Sequence, residues 1–224
     1  MILAGVVRLG SEVVDKPGRL FERTAPLEVV ADPNPYVSRG GLKLEHALAA
    51  LGVDPAGRQV LDAGASTGGF TDCLLQHGAA RVFAVDVGYG QLDWKLRTDP
   101  RVTVIDRQNA RHLTLSVLGE KPLDLAVIDV SFISVTRILP TVFSLLKPEG
   151  SALALVKPQF EVGKDEVEHK GVIKNPEKHL KAVRSVAAGV HASGWEVCAA
   201  TPSPLLGPKG NREFFILCRR AGQG

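Results

Sequence analysis

Val60-Leu-Asp-Ala-Gly-Ala-Ser-Thr-Gly-Gly-Phe70 is the stretch on which the fold turns. Val60 and Leu61 lead into Asp62, and a loop of small residues carries Gly64, Gly68 and Gly69. Phe70, Cys73 and Leu74 then follow at helical spacing. A buried strand passing through a glycine-rich turn into a helix N-terminus is how open α/β sheets hold nucleotide-like ligands. The spacing Gly64-x-x-x-Gly68-Gly69 is neither the dinucleotide fingerprint nor the phosphate loop, and no lysine follows to meet a phosphate. A carboxylate such as Asp62 at a strand end suits a ligand carrying an amino group or a positive charge. The pattern favours S-adenosylmethionine, against a purely structural strand–turn–helix.

Working outward, Arg81-Val-Phe-Ala-Val-Asp86 is a second buried strand ending in a carboxylate, 24 residues after Asp62. An acid there suits ribose hydroxyls. Val102–Ile105 is a third strand, and Asn109 beyond it can read an adenine edge. Leu123 to Ile128 is a fourth, ending at Asp129. Residues 134–146 read as a helix and 147–150 as a turn. Ser151–Val156 is a fifth strand, ending at Lys157. Three acids and a lysine thus fall at one edge of a parallel sheet, which points to a site. The connection from Pro158 to Asn175 is long and charged, as substrate-binding loops are. Residues 176–191 read as a helix opened by proline. Trp195–Thr201 and Glu213–Arg219 are closing strands, and the turn-rich segment 202–211 allows them to pair antiparallel.

Upstream, apolar residues at 42, 44, 47, 48 and 51 fit an amphipathic helix beginning near Ser38 or Gly40. Lys43 occupies its first turn, where the positive helix end disfavours a cation; function or a solvated surface position would each account for it. Ala31-Asp-Pro-Asn-Pro35 is a proline-broken linker. Before it, residues 2–10 read as a helix end stopped at Gly5 and a short strand, 15–18 as a turn, and 26–30 as a second strand. So little apolar material makes no independent core.

The composition describes a globular chain of 224 residues with 45% apolar content and a formal net charge of +3, too small to argue for a nucleic-acid partner by itself. Cys73, Cys198 and Cys218 have no paired spacing and read as buried thiols of a reducing compartment. Six scattered histidines argue against a metal site. No apolar run reaches the length of a membrane span and no signal-peptide pattern opens the chain, so a cytoplasmic protein is expected.

Several motifs carry a resemblance. They are Tyr36-Val-Ser-Arg-Gly-Gly-Leu-Lys-Leu-Glu45, Leu61–Cys73, Ala84-Val-Asp-Val-Gly-Tyr89, Ile128-Asp-Val-Ser-Phe-Ile-Ser134, Lys157-Pro-Gln-Phe-Glu161 and Gly210-Asn-Arg-Glu-Phe214. Together they resemble the TlyA, or haemolysin A, family, which is similar to the FtsJ-type RNA 2′-O-methyltransferases. Gly5 to Gly18 resembles the second half of an S4-type RNA-binding domain, a family that carries further helices in front; a plain β-hairpin is the alternative. The resemblance implies a Rossmann-like S-adenosylmethionine-dependent methyltransferase fold. Its seven-stranded mixed sheet would have an antiparallel last strand, over 36–224, preceded by an incomplete S4-like element (1–30) and a linker (31–35). It implies methylation of a cytidine ribose 2′-hydroxyl in ribosomal RNA, with ribosomal subunits as partner.

The resemblance also implies a catalytic tetrad of Lys43, Asp129, Lys157 and Glu213. In it Lys157 accepts the hydroxyl proton or orients the hydroxyl, the two acids hold the lysines, and Lys43 orients the ribose. Asp62, Gly64, Ser66, Thr67, Gly68, Gly69, Phe70, Asp86, Val87, Asn109 and Asp129 are the candidate donor pocket. Arg39, Lys164, Lys170, Lys174 and Lys209 are candidate RNA contacts. A non-catalytic RNA-binding protein and a pore-forming haemolysin are the competing classes. The glycine spacing disfavours a dehydrogenase.

Overall fold

The computed structural model describes residues 7–14, 16, 18–30, 34–163, 166–167 and 171–222. The chain divides into two compact units, residues 1–35 and 36–224.

In the first unit, β1 (Val7–Leu9), β2 (Glu12–Val13) and β3 (Leu27–Val29) form an antiparallel sheet in the order β2-β1-β3. Gly10, at φ +60°, makes the tight β1–β2 turn that a side chain would disfavour. The strand β2 is too short to leave an alternation in the sequence. The helix end expected before Gly5 lies outside the described residues, as do Asp15 and Pro17 of the expected turn.

The second unit begins with α1 (Gly40–Leu51). Its start is set by close packing: a Cβ on Gly41 would lie 2.2 Å from the Tyr36 ring. There follow β4 (Gln59–Ala63), α2 (Gly69–Gln76), β5 (Arg81–Val85), α3 (Trp94–Arg97), β6 (Val102–Ile105) and β7 (Leu123–Ile128). Then come α4 (Leu139–Ser144), β8 (Leu146–Val156), α5 (Pro158–Glu161), α6 (Pro176–Ala192), β9 (Trp195–Pro202) and β10 (Phe214–Arg220). The seven strands are ordered β6-β5-β4-β7-β8-β10-β9. The first five are parallel, and β10 is antiparallel to both of its neighbours.

Alternation along the strands feeds two cores. Leu61, Ala63, Phe83 and Val85 join the cluster that includes Val142, Val186 and a stacked Phe143–Trp195 pair. Val60, Val82 and Ala84 join Leu44, Leu48, Phe70 and Leu74 of α1 and α2. A sheet buried on both faces explains why its central strands read as continuous apolar runs.

The structure corrects four local expectations. Residues 134–146 form a 3₁₀ turn (Val135–Arg137) and only then the short α4, whose first turn carries Pro140. Residues 147–150 are an excursion within β8: Leu146 pairs with Leu123, and pairing resumes at Ser151 with Leu125. Cys198 is exposed on the edge strand β9, whereas Cys73 and Cys218 are buried. The short α3, and α5 at the start of the connection read as a loop, were not anticipated, since one turn is too brief to show a helical period.

Candidate active site

The carboxyl ends of β4, β5, β7 and β8 place Gly64, Asp86, Asp129 and Lys157 along one edge of the sheet. Gly64 has φ +94°, and a Cβ on it would lie 2.4 Å from the Asp129 carbonyl oxygen. Its glycine is required twice, by conformation and by contact. Ser66, at φ +48°, is a non-glycine residue in the left-handed region. Its N–H donates to Asp86 Oδ2 at 2.9 Å, and Gly88 N–H donates to Asp86 Oδ1 at 2.7 Å. Two backbone donors thereby fix the Asp86 carboxylate at the mouth of the loop.

These residues border a cavity of about 460 Å³. Gly64, Ser66, Asp86, Val87, Asn109 and Asp129 line it, with Ile133 and Ile138 supplying an apolar wall. Asn109 also caps the following turn, its Oδ1 accepting from Arg111 N–H at 3.0 Å. Its amide nitrogen takes no part in that cap. A second cavity of about 230 Å³ adjoins, sharing Gly64, Ser66 and Asp129 and adding Thr67, Gly69, Phe70, Arg39 and Lys43. A third, of about 280 Å³, is lined by Lys157, Glu213, Ser131, Phe132 and Lys209.

The tetrad residues assemble as two ion pairs. Lys43 Nζ donates to Glu213 Oε2 at 2.6 Å, and both side chains are buried. This contact, with a residue 170 positions away, explains a lysine in the first turn of α1. Lys157 Nζ lies 2.6 Å from Asp129 Oδ1 and donates to Ser131 Oγ at 2.7 Å. Each pair joins a residue of the first two cavities to one of the third. The lysines therefore stand where the cavities meet.

Two candidate donor residues line none of the three cavities. Asp62 points from β4 into α2, fully buried, its Oδ2 accepting from Thr71 Oγ1 at 2.6 Å. Burial pushes its carboxyl up to about 7. Gly68, at φ +100°, lies against Leu92 and Leu96, which a Cβ would meet at 2.8 and 2.3 Å, so it serves the seating of α3. Of the candidate RNA contacts, Arg39 and Lys209 reach cavities and Lys174 is exposed just before α6, whereas Lys164 and Lys170 lie outside the described residues.

Sequence reasoning missed Ser131, Gln91, Gln108 and the aromatic pair Phe132 and Phe160, whose ring centroids are 5.4 Å apart. Ser131 stood two positions beyond Asp129 and was the most accessible of them. Asn211 is a buried brace: its Oδ1 accepts from Ile173 N–H at 2.8 Å and its amide donates to Gly171 O at 2.9 Å. It holds the described part of the long connection beside the third cavity.

Comparison with known proteins bears on this site. The profile of the FtsJ-like methyltransferases matches residues 36–220. The "16S/23S rRNA (cytidine-2'-O)-methyltransferase TlyA" of Mycobacterium tuberculosis is 47% identical over 220 residues, 98% of this chain and 82% of that one. "Hemolysin A" of Brachyspira hyodysenteriae is 39% identical over 215 residues, 96% of this chain and 89% of that one. A solved structure of a candidate hemolysin from Streptococcus thermophilus is 40% identical, with a TM-score of 0.86 over 99% of this chain and 81% of its own. An S-adenosylmethionine-dependent methyltransferase from Mesorhizobium loti shares the fold at a TM-score of 0.56 and 16% identity, over 78% of this chain and 96% of its own. Among the described residues no helix is long and apolar enough to cross a membrane.

Proposed function

The chain belongs to the FtsJ-like methyltransferase family, and on that premise we propose that it transfers a methyl group from S-adenosylmethionine to the 2′-hydroxyl of a cytidine ribose in ribosomal RNA. The observation that carries this reading is the pair of lysine–carboxylate contacts at the junction of three cavities. The relatedness to a protein named for cytidine-2′-O-methylation supports the choice of nucleotide.

The residues present fit the donor. The cavity of about 460 Å³ lies within the range of small-molecule sites. Its floor at Gly64 is bare backbone, and the Asp86 carboxylate, held by two N–H groups, suits ribose hydroxyls. Val87, Ile133 and Ile138 offer an apolar wall for a flat base. When bound, S-adenosylmethionine supplies a methyl group on a positively charged sulfur.

The chain's own residues must then align the acceptor and remove a proton. Lys157, held in place by Asp129 and Ser131, accepts the proton of the 2′-hydroxyl when it acts as the neutral amine and leaves the step as the ammonium. Lys43, anchored by Glu213, orients the ribose. Arg39, Lys174 and Lys209 contact phosphates, and the sheet formed by β1, β2 and β3 grips the RNA as an S4-like element. Selection of RNA over DNA follows from the reacting group itself. The reaction takes place on ribosomal subunits in the cytoplasm.

The test is transfer of labelled methyl from S-adenosylmethionine to unmodified ribosomal subunits, with primer extension at limiting nucleotide to locate any 2′-O-methyl. Label on a cytidine ribose is the expected result. Donor binding without label on RNA would sink the acceptor assignment, and absence of donor binding would sink the whole reading.

A further inference from the structure

Gln159 takes no part in the chemistry above. It stands on α5, two residues beyond Lys157, and lines the third cavity. Its Oε1 is buried and receives no hydrogen bond from the protein. A buried amide oxygen without a donor is costly, and native structures keep few of them. Beside Lys157, Lys209, Glu213, Ser131 and Asn211, the cavity presents an apolar wall of Phe132, Phe160, Val167 and Pro208. Phe132 is 90% exposed and sits at φ +67°, a conformation that a bulky residue adopts only at a cost. At about 280 Å³ the cavity falls just below the range of drug-sized ligands, which suits a single base.

We propose that this cavity receives the base of the target nucleotide and that Gln159 selects cytosine, its Oε1 accepting a hydrogen bond from the exocyclic amine. This rests on the reaction proposed above. Lys157 lines the same cavity, so base and ribose of one nucleotide would occupy neighbouring positions. Enzymes that act on an unstacked nucleotide read the Watson–Crick edge of its base between aromatic or apolar walls. Cytosine presents an N–H donor where uracil presents an oxygen. Against uracil, Oε1 as it stands would meet lone pairs and remain without a donor, and only turning the amide over would offer Nε2 in its place. A site built to hydrogen-bond one partner rejects the analogue that lacks the matching group.

The experiment compares kcat/KM on ribosomal RNA fragments carrying cytidine or uridine at the mapped position, using the full chain. Gln159→Leu removes the acceptor, and Gln159→Glu retains one. The leucine variant should lower the cytidine-over-uridine ratio by about tenfold or more, while the glutamate variant holds it within about threefold. Unchanged affinity for S-adenosylmethionine, read by calorimetry, reports intact folding of both. A leucine variant that keeps the ratio of the unmutated chain overturns the proposal, as does an equal loss on both substrates. If the unmutated chain methylates neither fragment nor any ribosomal 2′-hydroxyl, the reaction itself is wrong and this assignment falls with it.

Discussion

Gly64 and Asp129 touch through their backbones: a Cβ on Gly64 would lie 2.4 Å from the Asp129 carbonyl oxygen. The end of β4 and the residue after β7 are thereby locked together, and Asp129 N–H donates to Ala63 O at 2.9 Å beside them. The proposed donor cavity and the Asp129–Lys157 pair thus meet at one contact. Gly64→Ala would place a side chain at φ +94° as well as against that carbonyl. It should cost roughly 1–3 kcal/mol of stability and weaken donor binding. Thermal unfolding and calorimetry with S-adenosylmethionine check both, and unaltered donor affinity would remove Gly64 from the site.

Lys157 is the residue whose loss should separate chemistry from binding. It lines the third cavity and not the donor cavity, so Lys157→Ala should leave donor affinity close to that of the unmutated chain. Its single-turnover rate should fall by about 10²–10⁴, the contribution typical of a positioned proton acceptor. Ser131→Ala removes only the hydroxyl to which Lys157 Nζ donates at 2.7 Å and should cost less. A full rate for Lys157→Ala would assign the proton to another group.

How much of this was legible in the sequence follows from range. The parallel strands announced themselves because both faces of the sheet are buried, leaving uninterrupted runs such as Val82–Val85 and Leu125–Ile128. The placing of Asp86, Asp129 and Lys157 at strand ends followed directly. What the sequence could not show was pairing. Lys43 looked misplaced because its partner, Glu213, is 170 residues away. Asp62 read as a ligand because it ends an apolar run, yet strand alternation turns it toward Thr71 on α2. The excursion at 147–150 and the broken helix at 134–146 are local compromises with the neighbouring strand and with Pro140, for which periodicity has no signature.

The Lys43–Glu213 pair should behave as a buried ion pair, costly to break on one side only. Lys43→Ala leaves the Glu213 carboxylate, 1% exposed, without its cation and should destabilise by about 3–5 kcal/mol. Lys43→Met combined with Glu213→Leu removes both charges and should recover most of that stability. Methyl transfer should stay lost in the double variant, because Lys43, proposed to orient the ribose, is gone while Lys157 alone remains. Urea unfolding and the transfer assay together decide the matter. Recovered activity would show that the pair is structural alone.

Asp62 gives the fold a pH dependence opposite in sign to that of an ordinary ion-paired acid. Burial raises its carboxyl from 3.8 to about 7, with Asp129 adding to the shift and Thr71 opposing it. Between about pH 4 and 7 the folded chain therefore holds a proton that the unfolded chain has lost. Fewer protons bound in the unfolded state mean that stability falls as pH rises through this window. Below about pH 4 both states are protonated and the effect vanishes. Above about pH 7 the loss is complete, on the order of a few kcal/mol. Asp62→Asn keeps an oxygen for Thr71 and carries no titrating proton. Relative to it, the unmutated chain should lose stability between pH 5 and 7.5 in urea titrations at fixed salt. Parallel pH curves for the two proteins would mean that Asp62 is already ionised in the folded state throughout this range, and that its unpartnered Oδ1 meets a donor the structure does not contain.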